Sequence, residues 1–181
     1  LTKAAPLHLD RFEPVLPKLP SPRERNRRPR VIPAEGEAKK KVGFFTGCVM
    51  DSLFFDINAK TIDLLTKAGA DVYIPQGQTC CGALHAHAGK VSLSKQLAKQ
   101  NIAAFETASV DVIVNNAGGC GARLIEYDRL LADEPEWRER AQRFADKSKD
   151  ISEVLVELGG LAFEHPVHEV VTYQASCHML N

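Results

Sequence analysis

From Lys41 onward, short apolar runs alternate with longer stretches whose apolar residues recur three or four positions apart. Val42-Gly43-Phe44-Phe45 has the form of a strand and is closed by Thr46-Gly47-Cys48. Phe55, Ile62, Leu65 and Ala68 mark an amphipathic helix that Gly69 stops. Asp71-Val72-Tyr73-Ile74 is a second predicted strand, ended by Pro75, and Val91, Leu97, Ile102 and Phe105 mark the next helix. Val110-Asp111-Val112-Ile113-Val114, rich in β-branched residues, is a third strand that runs into Asn115-Asn116-Ala117-Gly118-Gly119-Cys120-Gly121. Leu124, Tyr127, Leu130 and Leu131 form another helical stripe, and a more charged segment after Pro135 carries Trp137, Ala141 and Phe144. Asp150-Ile151-Ser152-Glu153 has the pattern of a capping box, opening a short helix that Gly159-Gly160 closes. Residues 167–173 read as a fourth strand, followed by Cys177-His178.

Strand and helix alternating in this way predict an α/β fold: a parallel β-sheet built from right-handed βαβ crossovers, with helices on both faces. Residues 1–40 differ, holding seven of the ten prolines and the basic run Arg23, Arg25, Arg27, Arg28 and Arg30 with few apolar residues. Such a composition reads as an extended linker. Tyr73 and Trp137 are expected to pack in the core.

Composition narrows the function by exclusion. Across 181 residues, 23 basic side chains balance 23 acidic ones, so no global field favours nucleic acid or an anionic membrane as partner. No apolar run approaches the roughly 18 residues of a spanning helix, and the N-terminus lacks a secretory pattern, which predicts a cytoplasmic chain. Neither a GxGxxG nor a GxxxxGK[ST] run is present, which argues against a nucleotide cofactor. The chain begins at Leu1 and stops just past Cys177, as expected of a piece of a longer polypeptide.

The five cysteines then change the picture. Each follows a predicted strand, and parallel strands carry such loops to one carboxyl edge, where open α/β sheets bind ligands. Cysteines serving as core filler would fall within strands and on buried helix faces as often. Cys48, Cys80, Cys81 and Cys120 are therefore expected to converge from three successive loops as a four-thiolate metal site for iron-sulfur or zinc. The adjacency of Cys80 and Cys81 favours a wide iron-sulfur cluster, because neighbouring side chains diverge and reach one small ion only through a sharp turn. Glycines at 47, 82, 118, 119 and 121 let the backbone approach sulfur and donate N–H hydrogen bonds to it. A zinc-stabilised docking module and a vicinal-dithiol redox enzyme built on Cys80 and Cys81 remain as alternatives. His85 and His87 are either further ligands or groups facing solvent or the sheet edge, and no residue is a credible general base.

Five ordered blocks carry a family resemblance: Phe45-Thr46-Gly47-Cys48, the run from Cys80-Cys81-Gly82 to Gly89, Asn101-Ile102-Ala103-Ala104-Phe105, Ala117-Gly118-Gly119-Cys120-Gly121-Ala122, and Tyr173-Gln174-Ala175-Ser176-Cys177-His178. Together they resemble the CCG cysteine-rich domain family, and within it the iron-sulfur subunits of glycolate oxidases. The resemblance implies a first CCG domain over residues 41–166 and the start of a second, truncated, over 167–181, to which Cys177 belongs. It implies a cofactor of iron-sulfur type, 4Fe-4S being the conventional form, held by Cys48, Cys80, Cys81 and Cys120 with Gly82 and Gly119 as backbone donors. The implied partners are an FAD-containing glycolate oxidase subunit, a ferredoxin-like module of the same longer chain, and the quinone pool as electron acceptor. Peripheral placement on the inner face of the cell membrane is compatible with that role. Two positions depart from the family pattern. Ala117 stands where the heterodisulfide-reductase branch has a further cysteine, and Gln174 stands where a histidine is expected. The exact cluster therefore stays open, zinc included.

Overall fold

The computed structural model describes residues 19–163, 165 and 167–174. In chain order the elements are α1 (Pro22–Asn26), β1 (Val31–Ile32), β2 (Lys40–Phe44), α2 (Val49–Leu53), α3 (Phe55–Lys67), β3 (Ala70–Tyr73), α4 (Ala83–His87) and α5 (Val91–Glu106). They continue with β4 (Val112–Asn115), α6 (Gly118–Ile125), α7 (Tyr127–Leu130), α8 (Pro135–Lys147), β5 (Ser148–Asp150) and α9 (Ile151–Glu157). The α/β reading of the sequence is thus what the chain forms. No helix among the described residues is long and apolar enough to cross a membrane.

The five strands lie in the order β1-β3-β2-β4-β5, with β2, β3, β4 and β5 parallel and β1 antiparallel against β3. The chain leaves β2 to form β3 on one side, then returns past β2 to form β4 on the other. The carboxyl end of β2 is consequently a topological switch point, where neighbouring connections diverge and leave a crevice.

Period-two alternation divides the core between the two faces. Val42 and Phe44 of β2, with Val112 and Val114 of β4, pack among Ile62, Leu65, Val154 and Leu158, the buried stripe of α3 and α9. Phe45 and Ile113 point the other way, into Ala98, Ile102 and Phe105 of α5 and Leu124, Tyr127 and Phe144 of the later helices. On that face Phe105 meets Phe144 edge to face at 5.6 Å, and Tyr127 stacks on Phe144 at 5.2 Å. Gly43 faces the same cluster, and a Cβ there would lie 2.9 Å from Val110 Cγ2 and 3.0 Å from the Phe105 ring. The closeness of α5 to the sheet depends on that missing methyl. Tyr73 and Trp137 pack against this cluster only partly buried, and Trp137 carries the Arg140 guanidinium 3.9 Å above its ring.

Three elements differ from the sequence pattern. The predicted strand at 167–173 does not form: among the described residues no β-ladder includes this segment, which is exposed, with Val170 fully accessible. The position beside β4 is taken by β5, a polar tripeptide that pairs Ser148 with Ile113 and Asp150 with Asn115. β-branched composition alone does not make a strand where no neighbour offers a ladder. Cys177 and His178 lie outside the described residues. In the N-terminal segment, α1 and β1 form, and Ala34 N–H donates to Asp71 Oδ1 at 2.9 Å. The capping box at Asp150 forms as the sequence indicates, with both reciprocal bonds present.

The Glu157 carboxylate, at the end of α9, ties that helix to the sheet through Lys149 of β5 and Lys40 of β2, the latter at 2.6 Å. The Lys149 hydrogen bond, then that of Lys40, holds this carboxyl down at about 2. Its contribution is present above the unfolded value near 4.5 and is lost as pH falls through about 2. Glu157→Gln is therefore expected to flatten the acid limb of the stability profile between those values, measured by urea denaturation at stepped pH. Gly43→Ala is expected to lower stability by about 1–3 kcal/mol through overpacking against Val110 and Phe105, read as a shift in denaturation midpoint.

Candidate metal-thiolate site

Two loops and the first turn of α6 place four cysteines at the carboxyl edge around the switch point. Cys48 caps the start of α2 and is exposed, reached through Gly47 at φ +69°. Cys80 and Cys81 follow β3 and precede Gly82, which sits in the left-handed region at φ +84°. A side chain at that position would also collide with Ser94, its Cβ lying 2.7 Å from Oγ, so only glycine turns the chain here. Cys120 is the third residue of α6 and not a loop residue as its sequence setting indicates, because the helix begins at Gly118, within the glycine run.

The thiols form two pairs. Cys48 Sγ donates to Cys80 Sγ at 3.5 Å, and Gly82 N–H donates to Cys80 Sγ at 3.4 Å. Cys81, buried, hydrogen-bonds the thiol of half-buried Cys120. That contact, helped by the Ala83 N–H, holds Cys81 down at about 6, and the same contact together with burial pushes Cys120 up. Burial is the main cause that raises Cys80 to about 11. Cys48, Cys80 and Cys81 all act on Cys120 by charge, so the two pairs belong to one electrostatic site.

The arrangement can be tested against the groups that the sequence allows. Among the described residues, no three His, Cys, Asp or Glu side chains are grouped to hold a single metal ion. Four thiols with backbone N–H groups directed at sulfur fit an iron-sulfur group, which Cys48, Cys80, Cys81 and Cys120 would hold as thiolates. Gly119 is exposed and a Cβ there would meet nothing within 4 Å, so that side of the site is open. His85 is half-buried in α4 with its Nδ1 shielded and unpartnered, whereas His87 is exposed.

The side chains that fix these loops are polar and buried, and motif reasoning does not assign them. Asn101 Oδ1 accepts from Thr79 N–H at 2.7 Å, while its Nδ2 donates to Cys80 C=O and to Tyr127 Oη, both at 3.0 Å. Tyr127 O–H donates to Cys81 C=O at 2.9 Å. Gln78 Oε1 accepts from Thr46 N–H at 2.9 Å, and its Nε2 donates to Phe44 C=O at 3.2 Å and Pro75 C=O at 3.1 Å. Asn58 Nδ2 donates to Thr46 C=O at 2.9 Å, and Asn116 Nδ2 reaches Asn58 Oδ1 and Thr61 Oγ1 at 3.0 and 2.9 Å. Ser94 O–H donates to Gly82 C=O at 3.1 Å and accepts from Arg123 at the same distance. One signal was present in the chain: Asn101 interrupts the apolar stripe of Ala98, Ile102 and Phe105 with an amide that burial obliges to find partners.

A parallel sheet that carries four cysteines at its carboxyl edge defines a cysteine-rich class of α/β domain. Residues 42–125 match the family described as CCG, cysteine-rich domain. It is 52% identical over 185 residues to a Bacillus subtilis (strain 168) protein named probable glycolate oxidase iron-sulfur subunit, covering all of this chain and 41% of that protein. It is 34% identical over 140 residues to lactate utilization protein A of Bacillus velezensis, and 36% identical over 140 residues to the protein of that name from Halalkalibacterium halodurans. These two alignments each cover 77% of this chain and 58% and 57% of the relatives. The chain thus spans between two fifths and three fifths of the relatives it matches.

Replacing Asn101 by leucine keeps the volume but leaves Thr79 N–H and Cys80 C=O unpaired. Asn101→Leu is expected to cost about 1–3 kcal/mol in denaturant titrations. It should also speed alkylation of Cys80 relative to Cys48 in mass-resolved thiol labelling.

Proposed function

We propose that this chain is the cluster-bearing part of an iron-sulfur electron-transfer subunit in an oxidoreductase acting on 2-hydroxy acids. The observation that carries the reading is the convergence of Cys48, Cys80, Cys81 and Cys120 as two hydrogen-bonded pairs at one sheet edge. The relatives' names, one referring to glycolate and the others to lactate, support the substrate class. In finer terms, electrons from glycolate oxidation at an FAD-containing subunit enter this site and leave toward quinone through a ferredoxin-like module of a longer chain. Residues 41–166 are read as the first CCG domain, with 167–181 opening a second.

The cluster, when bound, supplies a one-electron carrier. The chain's own residues do the rest. Cys48, Cys80, Cys81 and Cys120 would hold it as thiolates, with Gly82 and Ala83 N–H groups offsetting negative charge on sulfur. Asn101, Tyr127 and Gln78 keep the cysteine backbones fixed, so that little rearrangement accompanies a change of charge. Buried Cys81 and the aromatic face behind it exclude water from one side, while exposed Cys48 leaves the other accessible to a redox partner.

Anaerobic reconstitution followed by assay of iron, acid-labile sulfide and zinc tests the reading. Iron with equimolar sulfide is expected, and Cys120→Ser is expected to lose most of that iron while the apoprotein keeps its helical circular dichroism. Stoichiometric zinc without sulfide would support the docking module instead. A metal-free protein that cycles a Cys80–Cys81 disulfide would support the dithiol enzyme.

A further inference from the structure

An open cleft of about 550 Å³ lies beside the Cys48 and Cys80 loops and is lined on one side by Arg25, Arg28 and Arg30. Its remaining lining includes Thr46, Asp51 and residues 74–78. Of the three arginines, Arg28 pairs with Asp51 and lies 4.6 Å from the Phe55 ring centroid, which fixes its guanidinium in place. Arg25 is half-buried, and its Nε is shielded from solvent without a hydrogen-bond partner. Arg30 is exposed and makes no ion pair among the described residues.

Guanidinium groups stay charged at any working pH, so three around one cavity repel one another unless an anion joins them. Asp51 answers one of the three. A shielded, unpartnered Nε is a donor that protein atoms leave unmet. The volume falls in the range of small-ligand sites, about 300–1,000 Å³. We propose that the cleft formed by Arg25, Arg28, Arg30 and the 74–78 turn binds a small dianion through its carboxylate or phosphate oxygens. Two uncompensated arginines match two negative charges, and the planar forks match the geometry of either oxoanion.

The position of the cleft gives the ligand an effect. Thr46 and Gln78 both line it, and the 2.9 Å bond between them joins the turns that lead to Cys48 and Cys80. A dianion seated there stiffens the Cys48–Cys80 pair without touching sulfur. This inference does not depend on which metal the thiols hold.

Isothermal titration of the purified chain at low ionic strength, with inorganic phosphate, malonate and acetate as separate probes, tests it. Saturable one-site binding is expected for phosphate, malonate or both, and the one that binds more tightly identifies the oxoanion. Acetate, with one charge, is expected to bind at least tenfold more weakly. Arg25→Gln and Arg30→Gln should each weaken dianion binding roughly tenfold or more, the scale of a lost charge-assisted hydrogen bond. Thermal denaturation is the second readout: phosphate or malonate should raise the midpoint of the parent chain and leave that of the Arg25→Gln/Arg30→Gln variant unmoved. Absence of saturable dianion binding overturns the proposal. So does acetate binding as tightly as the dianions, or an affinity that neither substitution changes.

Discussion

The turns that place Cys48, Cys80 and Cys81 near Cys120 of α6 cannot also pair all of their own backbone groups in a ladder or a helical turn. Their N–H and C=O groups would be left buried and unsatisfied, each at a cost of about 1–3 kcal/mol. Here side-chain amides and one phenol stand in for secondary structure. Asn101 and Tyr127 complete the backbone of the double-cysteine turn, and Gln78 and Asn58 complete that of the Cys48 turn. Everything else in the site depends on these bonds, since the thiol pairs keep their spacing only while the loops keep theirs.

The sheet supplies the coarse convergence and the amides the fine. Parallel β2, β3 and β4 deliver three loops to one edge, and the reversal of direction at β2 opens the crevice between them. Within that crevice the four thiols are unequal. Cys81 is buried and Cys80 and Cys120 are half-buried, while Cys48 is exposed. An asymmetric donor set is a natural way to give a carrier a sheltered side and an accessible one.

How much of this was legible in the chain differs by residue. Alternating apolar patterns disclosed β2, β3, β4, α3 and α5, because burial on two faces writes a clear period into each. The gathering of Cys48, Cys80, Cys81 and Cys120 followed from their position after strands. β5 was not legible, since Ser148-Lys149-Asp150 holds its place by backbone pairing with β4 and has no apolar period to show. The opposite difference arose at 167–173, where β-branched residues suggest a strand and the described residues form no ladder there. Gln78 and Tyr127 were hidden for a different reason: a polar side chain that ties down a backbone looks like any other of its type until its partners are known. The arginines of the N-terminal segment read as a solvated linker, and only the docking of β1 on β3 brings them to the site's rim.

That same docking affects how the molecule behaves in company. Strand β3 would otherwise present a full row of backbone donors and acceptors, a template on which another chain could add a strand. Two residues of antiparallel β1 cover it. At the opposite margin β5 is only three residues long and carries Lys149. Short, capped and charged margins resist edge-to-edge aggregation, which matters for a protein whose cysteine edge must stay open to its surroundings.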